Sequence, residues 1–365
     1  MLASLFVLPG VAGAHDADTS LTRLRLAEDR LEIEITLDLL TAARLAPLAV
    51  RDDGENPRIT EETFRAHAED LTRWLAARVR LAVDRNETGL GEPQAALWQA
   101  ESTTRAPDTW PQDLVLFRWS LPLDTTPGEI ALLYEIWPAI GVSHRNLTVL
   151  QQDWQDPIEI PFGPEDAEYV WFPGETPPLI EQILRFTKLG VEHIFIGTDH
   201  ILFLVGLMVV ARLRSLIGIV TAFTIGHSLT LALATTGLVE LPGRWVEVAI
   251  AATIVWVAAE NIWRQNPRHR PLLTFFFGLV HGFGFAEVLS ALDLPPSGLF
   301  RSLLGFNLGV EIGQVAILIV LWPLFAWIAR RPRARLWQQC ISAAVGVAGL
   351  GWLIDRLAGT TYMPV

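Results

Sequence analysis

From residue 190 onward the chain is dominated by six apolar stretches, roughly 190–211, 215–236, 245–263, 272–291, 303–328 and 337–357. Each is close to the ~20 residues an α-helix needs to cross a hydrocarbon core. A chain in lipid must satisfy its backbone hydrogen bonds internally, so such stretches specify packed helices. Charge divides the chain at the same place. Residues 1–175 hold 30 acids and 14 bases, whereas residues 176–365 hold 10 acids and 14 bases. An acidic, polar first half therefore precedes an apolar, mildly basic second half. No basic face is available to neutralise phosphates, which argues against nucleic acid as a partner. The single cysteine, Cys340, rules out an intrachain disulfide framework and a thiolate metal cluster.

The first half reads as an exported domain. Leu2–Leu8 is a short apolar run, and Ala12-Gly13-Ala14 fits a small-residue cleavage site, so residues 1–14 are expected to be a signal peptide. Alternation of apolar and polar residues marks strands at 24–26, 31–37, 79–83, 114–119, 130–136 and 146–150. Phe64, Ala68, Leu71 and Leu75 repeat at helical spacing. These features predict a β-sandwich-like domain with one helix over 15–156, lying outside the cytoplasm and open to a partner there. Residues 157–178, rich in proline and acids, read as a linker. His67 and His144 are isolated and read as ordinary surface or core residues.

The remainder, 179–365, is predicted to be an all-α bundle of six transmembrane helices. Nine arginines fall in alternate loops: Arg212 and Arg214, then Arg264, Arg268 and Arg270, then Arg330, Arg331, Arg333 and Arg335. Only Arg185, Lys188, Arg244, Arg301 and Arg356 lie on the other side. The positive-inside rule puts the nine in the cytoplasm and the first half, with the C-terminus, outside it. The expected location is an inner (plasma) membrane of bacterial type, with the lipid bilayer as a partner.

Ionisable side chains in hydrocarbon cost several kcal/mol unless partnered, so they are functional candidates. The first span carries Glu192, His193, Asp199 and His200; the second His227 and Ser228; the third Glu260 and Asn261; the fourth His281; the fifth Asn307, Glu311 and Gln314. His193 and His200 are seven residues apart, about 10.5 Å along a straight helix, too far to share one ion. A break at Gly197, between them, would bring them closer; without one they mark two sites. Imidazole and carboxylate together suit divalent nickel, cobalt, zinc or iron, and the scarcity of sulfur argues against copper(I). The expected metal ligands are His193, Asp199, His200, His227, His281 and Glu311. Glu192, Ser228, Glu260, Asn261, Asn307 and Gln314 are expected to support the ligands or line a pathway. Three functions fit: a divalent-metal permease or delivery protein, an intramembrane metal-dependent hydrolase with Ser228 near the metal, and a non-transporting accessory or sensor whose exported domain binds a partner.

Several runs are familiar. Gly190-Val191-Glu192-His193-Ile194, Gly197-Thr198-Asp199-His200-Ile201, Phe223-Thr224-Ile225-Gly226-His227-Ser228, Ala259-Glu260-Asn261, Gly278-Leu279-Val280-His281-Gly282 and Asn307-Leu308-Gly309-Val310-Glu311 resemble the HupE/UreJ family, in order, over about 180–355. The resemblance implies association with hydrogenase or urease, both nickel enzymes, and transport or delivery of nickel or cobalt; the donor set keeps zinc as a further candidate ion. The element from His193 to Asp199-His200 is also similar to the His-x4-Asp-His signature of nickel/cobalt transporters, one residue longer.

Overall fold

The computed structural model describes residues 19–46, 49–50, 58–99, 104–105, 114–152, 155–210, 213–235, 238–239, 241–264, 269–290 and 296–358. The expected signal peptide, 1–14, lies outside the described residues, as do Arg212 and Arg268. The first half contains β1 (Thr19–Leu26), β2 (Arg30–Asp38), α1 (Leu39–Leu45), β3 (Ala49–Val50), β4 (Arg58–Thr60), α2 (Glu61–Ala76), β5 (Val79–Val83), β6 (Asn86–Glu87), β7 (Glu92–Gln99), β8 (Thr104–Arg105), β9 (Leu114–Pro122), β10 (Ile130–Tyr134), α3 (Trp137–Ile140), β11 (Arg145–Gln152), β12 (Ile158–Phe162) and β13 (Glu168–Trp171). The second half contains α4 (Leu179–Ile196), α5 (Thr198–Met208), α6 (Leu213–Thr235), α7 (Gly243–Trp263), α8 (Arg270–Ser290), α9 (Pro296–Ala329) and α10 (Ala334–Ala358).

Alternation builds the first half. In β2, Leu31, Ile33, Ile35 and Leu37 turn inward while Glu32 stays exposed. The main sheet has the order β12-β11-β1-β2-β9-β7, and a second has the order β13-β10-β5-β6. Only β1 and β11 pair in parallel within the main sheet, with Thr19 opposite Arg145. The two sheets and α2 share one core: Leu24, Ile33 and Phe117 meet Leu81, Ile130 and Leu132, and Phe64, Leu71 and Leu75 from α2. A capping box between Thr60 and Thr63 starts α2. The 157–178 stretch, expected to be a linker, instead contributes β12 to the main sheet and β13 to the second. Its prolines misled the pattern: Pro161 sits in an edge strand, where a missing N–H is tolerated.

The other face of β11 is also buried. Leu147 and Val149 of β11 pack into one cluster with Phe186, Leu189, Leu303 and Phe306 of α4 and α9. Two ion pairs frame this seam, Arg145 with Glu192 at 2.8 Å and Lys188 with Asp166. Glu159 of β12, 2% exposed, accepts a hydrogen bond from Ser302 of α9. The β-rich half is therefore docked directly on the helices.

In the helical half, Ser215–Thr235, Gly243–Trp263, Leu299–Ala329 and Ala334–Ala358 are each long and apolar enough to cross a membrane. α4 and α5 meet that test only together, and the chain bends by 72° between them. The expected first span, 190–211, is thus not one straight helix. Gly197 ends α4 in an extended conformation, φ −65° and ψ 100°, and its carbonyl starts α5 by accepting from Ile201 N. α9, at 34 residues, is about 51 Å long and exceeds a ~30 Å hydrocarbon core. Its first turns carry Leu303 and Ser302, which lie against the β-rich half.

Burial pushes the Glu159 carboxyl up to about 7, so the docked form retains a proton that an exposed glutamate, near 4.5, releases. A raised carboxyl pKa means that docking loses stability as pH rises from about 4.5 through about 7. Thermal melting of the full chain is expected to show Tm falling across this window, and Glu159→Gln is expected to flatten the fall.

Candidate metal centre

Glycine decides how closely the site-bearing helices approach. α4 runs parallel to α9, and α6 parallel to α8. A Cβ at Gly190 would strike the Phe306 carbonyl, and one at Gly309 the Thr187 carbonyl. Likewise a Cβ at Gly226 would strike the Phe275 carbonyl, and one at Gly278 the Phe223 carbonyl. Both seams are backbone-to-backbone contacts that small residues permit in helix packing. They carry His193, His227 and His281 within a few residues of the contact points.

The break at Gly197 supplies the rest. It turns the start of α5 back so that the His200 and His193 rings lie 4.7 Å apart between centroids. His281 of α8 lies 5.5 Å from His200, and His227 of α6 lies 6.4 Å from His193. Ligand atoms of Asp199, His200 and His281 all fall within 4.8 Å of one another. All three residues are buried, and phenylalanines wall the cluster: Phe203 and Phe223 lie 5.2 and 5.1 Å from His281, and Phe306 lies 5.3 Å from His193.

Hydrogen bonding assigns the protons. Thr253 of α7 donates its one hydroxyl proton to the Ile250 carbonyl at 2.6 Å. It must then accept from His281 Nε2, 3.0 Å away, which leaves Nδ1 as the lone-pair nitrogen. Asp199 Oδ1 accepts from the His200 backbone N at 2.7 Å and from its Nδ1 at 2.9 Å, leaving Nε2 with the lone pair. Asn307 anchors its amide to the Leu303 carbonyl at 2.8 Å, which points its oxygen at His227 Nδ1, 3.4 Å away. His227 Nε2 is then the lone-pair nitrogen. Asp199 Oδ2, His227 Nε2 and His281 Nδ1 are buried and have no hydrogen-bond partner among the described residues. Buried acceptors without a donor are costly, and a cation removes that cost. Orienting partners on the far nitrogen of each imidazole are the usual support of metal-binding histidines.

Of the expected ligands, Asp199, His200 and His281 come together, with His193 and His227 adjoining. Glu311 does not join them. It sits one turn beyond Asn307 on α9 and accepts from Thr221 at 2.8 Å, while Gln314 accepts from Thr224 at 3.1 Å. Glu192, although next to His193, faces Arg145 at the seam with the β-rich half. Ser228 donates to the Thr224 carbonyl of its own helix at 2.7 Å. Glu260 and Asn261 form a separate cluster two turns further along α7. There Asn261 caps the Gly206 carbonyl at 2.7 Å, and Arg270, 2% exposed, joins Glu260 at 3.4 Å and the Leu207 carbonyl at 3.0 Å. This cluster closes the C-terminal end of the short α5. Thr253 was not foreseen, because a lone threonine in an apolar span carries no signal of its own.

The architecture is that of a membrane protein, a helical bundle with a buried His/Asp cluster under a β-rich domain. Residues 175–356 match the family model described as HupE / UreJ protein, and through this domain the chain belongs to the HupE/UreJ family. No curated protein matches the chain.

Gly278→Ala should force the α6–α8 seam apart, because its Cβ meets backbone that cannot rotate away. Overpacking of this kind costs about 1–3 kcal/mol. Gly218→Ala, on the same seam's α6 but facing open space, should leave stability unchanged or improve it by up to about 1 kcal/mol. Melting of both variants in detergent distinguishes a seam set by glycine from a general tolerance for alanine.

Proposed function

We propose that the protein is a membrane permease or delivery protein for a divalent transition metal, nickel or cobalt, with zinc as the next candidate. The observation that carries this reading is the convergence of Asp199 and three imidazoles whose outer nitrogens are already committed to Asp199, Thr253 and Asn307. The donor set is nitrogen and oxygen without sulfur, which suits these ions. Asp199, His200 and His281 would hold the ion, with His193 and His227 completing or relaying it. The metal is the cargo, and the residues supply binding, orientation and a dry wall. Membership in the HupE/UreJ family supports the same reading. In this reading α4–α5 makes one span and α6 to α10 make five more, six in all, with the arginine-rich loops in the cytoplasm. The β-rich half then lies outside the cytoplasm.

One observation favours a second reading, a non-transporting accessory or sensor. Arg145 of the β-rich half grips Glu192, the residue before His193, so a partner bound outside has a short path to the site. The hydrolase alternative has weaker support, since the Ser228 hydroxyl donates to a helix carbonyl.

Isothermal titration of the full chain with Ni²⁺, Co²⁺ and Zn²⁺ tests the proposal. Asp199→Asn, His200→Ala and His281→Ala are expected to abolish binding. Thr253→Val, which frees His281 to take the wrong tautomer, should weaken it about 10–100-fold. His67→Ala should change nothing. Binding should weaken as pH falls, because protons compete for the lone pairs. Wild-type affinity in both His200→Ala and His281→Ala would refute the metal reading and leave the sensor role.

A further inference from the structure

A small cavity lies beside the metal centre, lined by Asp199, Glu247, Ile250, Trp352 and Arg356. It has a volume of about 30 Å³, and Asp199 lies at its inner end. Ile250 lines it, and the Ile250 carbonyl is the acceptor of the Thr253 hydroxyl that fixes His281. That volume holds one or two waters, so an ion passing through must shed most of its hydration shell. An ion pair lines the same cavity. Glu247 of α7 meets Arg356 of α10 at 2.8 Å. The two differ in accessibility: Glu247 is 22% exposed and Arg356 only 5%. The carboxylate is thus the more accessible of the two groups.

Arg356 also has a second carboxylate, Asp355, at 3.5 Å. The end of α10 is held independently, because Arg244 donates to the Arg356 and Leu357 carbonyls at 3.2 and 2.5 Å. The guanidinium can therefore leave Glu247 without releasing the helix and without losing all compensation for its charge. Glu247 and Ile250 share one face of α7, which leads one to two turns inward to Thr253.

We infer that the Glu247–Arg356 pair is the gate through which a divalent cation reaches Asp199: the cation displaces Arg356 from Glu247, Arg356 turns to Asp355, and the ion passes from one carboxylate to the next. Paired with Glu247, the arginine cancels the charge that would attract a cation and adds one that repels it. Once displaced, it leaves two carboxylates at the ends of one narrow cavity. This gate rests on the metal reading of the Asp199 cluster and adds to it a route, a direction and two residues that bind no ion at rest.

The test is stopped-flow mixing of Co²⁺ chloride with the full chain in detergent, followed by the visible absorption of bound Co²⁺, alongside equilibrium titration. Glu247→Gln is expected to slow association by about tenfold, the low end of what local charge contributes to encounter rates. Equilibrium affinity should stay unchanged. Arg356→Gln should speed association and dissociation together. Should the loss of Arg356 beside Glu247 prevent folding, the double variant Glu247→Gln/Arg356→Gln removes both charges of that pair and should associate as slowly as Glu247→Gln. Wild-type rates in Glu247→Gln and in the double variant, with Asp199→Asn unable to bind, would show that ions arrive elsewhere and overturn the gate alone. Loss of equilibrium affinity in Glu247→Gln as complete as in Asp199→Asn would also overturn it, making Glu247 a ligand. A wild type that binds no Co²⁺ overturns the gate and the metal reading together.

Discussion

The bond between Asp199 and His200, 2.9 Å from carboxylate oxygen to ring nitrogen, organises the helical half. Neither group belongs in an apolar interior alone, and the second carboxylate oxygen, Asp199 Oδ2, still has no hydrogen-bond partner among the described residues. Their position at the start of α5 depends on the 72° bend at Gly197. A Cβ there would stand 2.5 Å from His200 Nδ1, so the turn and the ring position are one requirement. The remaining imidazoles reach this point because two glycine-lined seams bring α4 to α9 and α6 to α8 at backbone contact. The site is therefore a product of close packing, and close packing in lipid is bought with small residues rather than with apolar driving force.

Charged groups away from the centre serve that packing. Arg270 and Asn261 answer the Gly206 and Leu207 carbonyls, which a helix as short as α5 leaves open in mid-bundle. Arg335 answers the Asn261 and Ile262 carbonyls at the end of α7, at 2.9 and 2.5 Å. The β-rich half is part of the same structure. In its main sheet β11 is covered on both faces, one by the domain's own core and the other by α4 and α9, and Arg145 reaches the residue beside His193.

Much of this was legible in the sequence. Four of the spans, the strands from alternating residues, and the histidines and Asp199 as an expensive set all follow from local rules, and of the two readings of His193 and His200, a break at Gly197 or two separate sites, the bend supports the first. The limits are equally physical. Glu192 adjoins a ligand in sequence, yet its partner Arg145 is 47 residues away in a different fold element. Glu311 shares a helix face with Asn307, but one turn separates them, and that turn decides between His227 and Thr221. Glu159 lies in the proline- and acid-rich stretch that reads as a linker, whereas β12 buries it against Ser302. Thr253 is visible only as the acceptor of one imidazole proton.

X-ray absorption spectroscopy of the full chain loaded with one equivalent of Ni²⁺ or Co²⁺ reads the centre most directly. The geometry predicts nitrogen and oxygen neighbours only, with the multiple-scattering signature of two or more imidazoles, and His281→Ala should remove one imidazole's share. A spectrum of the hydrated ion, with oxygen neighbours and no imidazole scattering, would contradict the assignment of Asp199, His200 and His281 as the ligands.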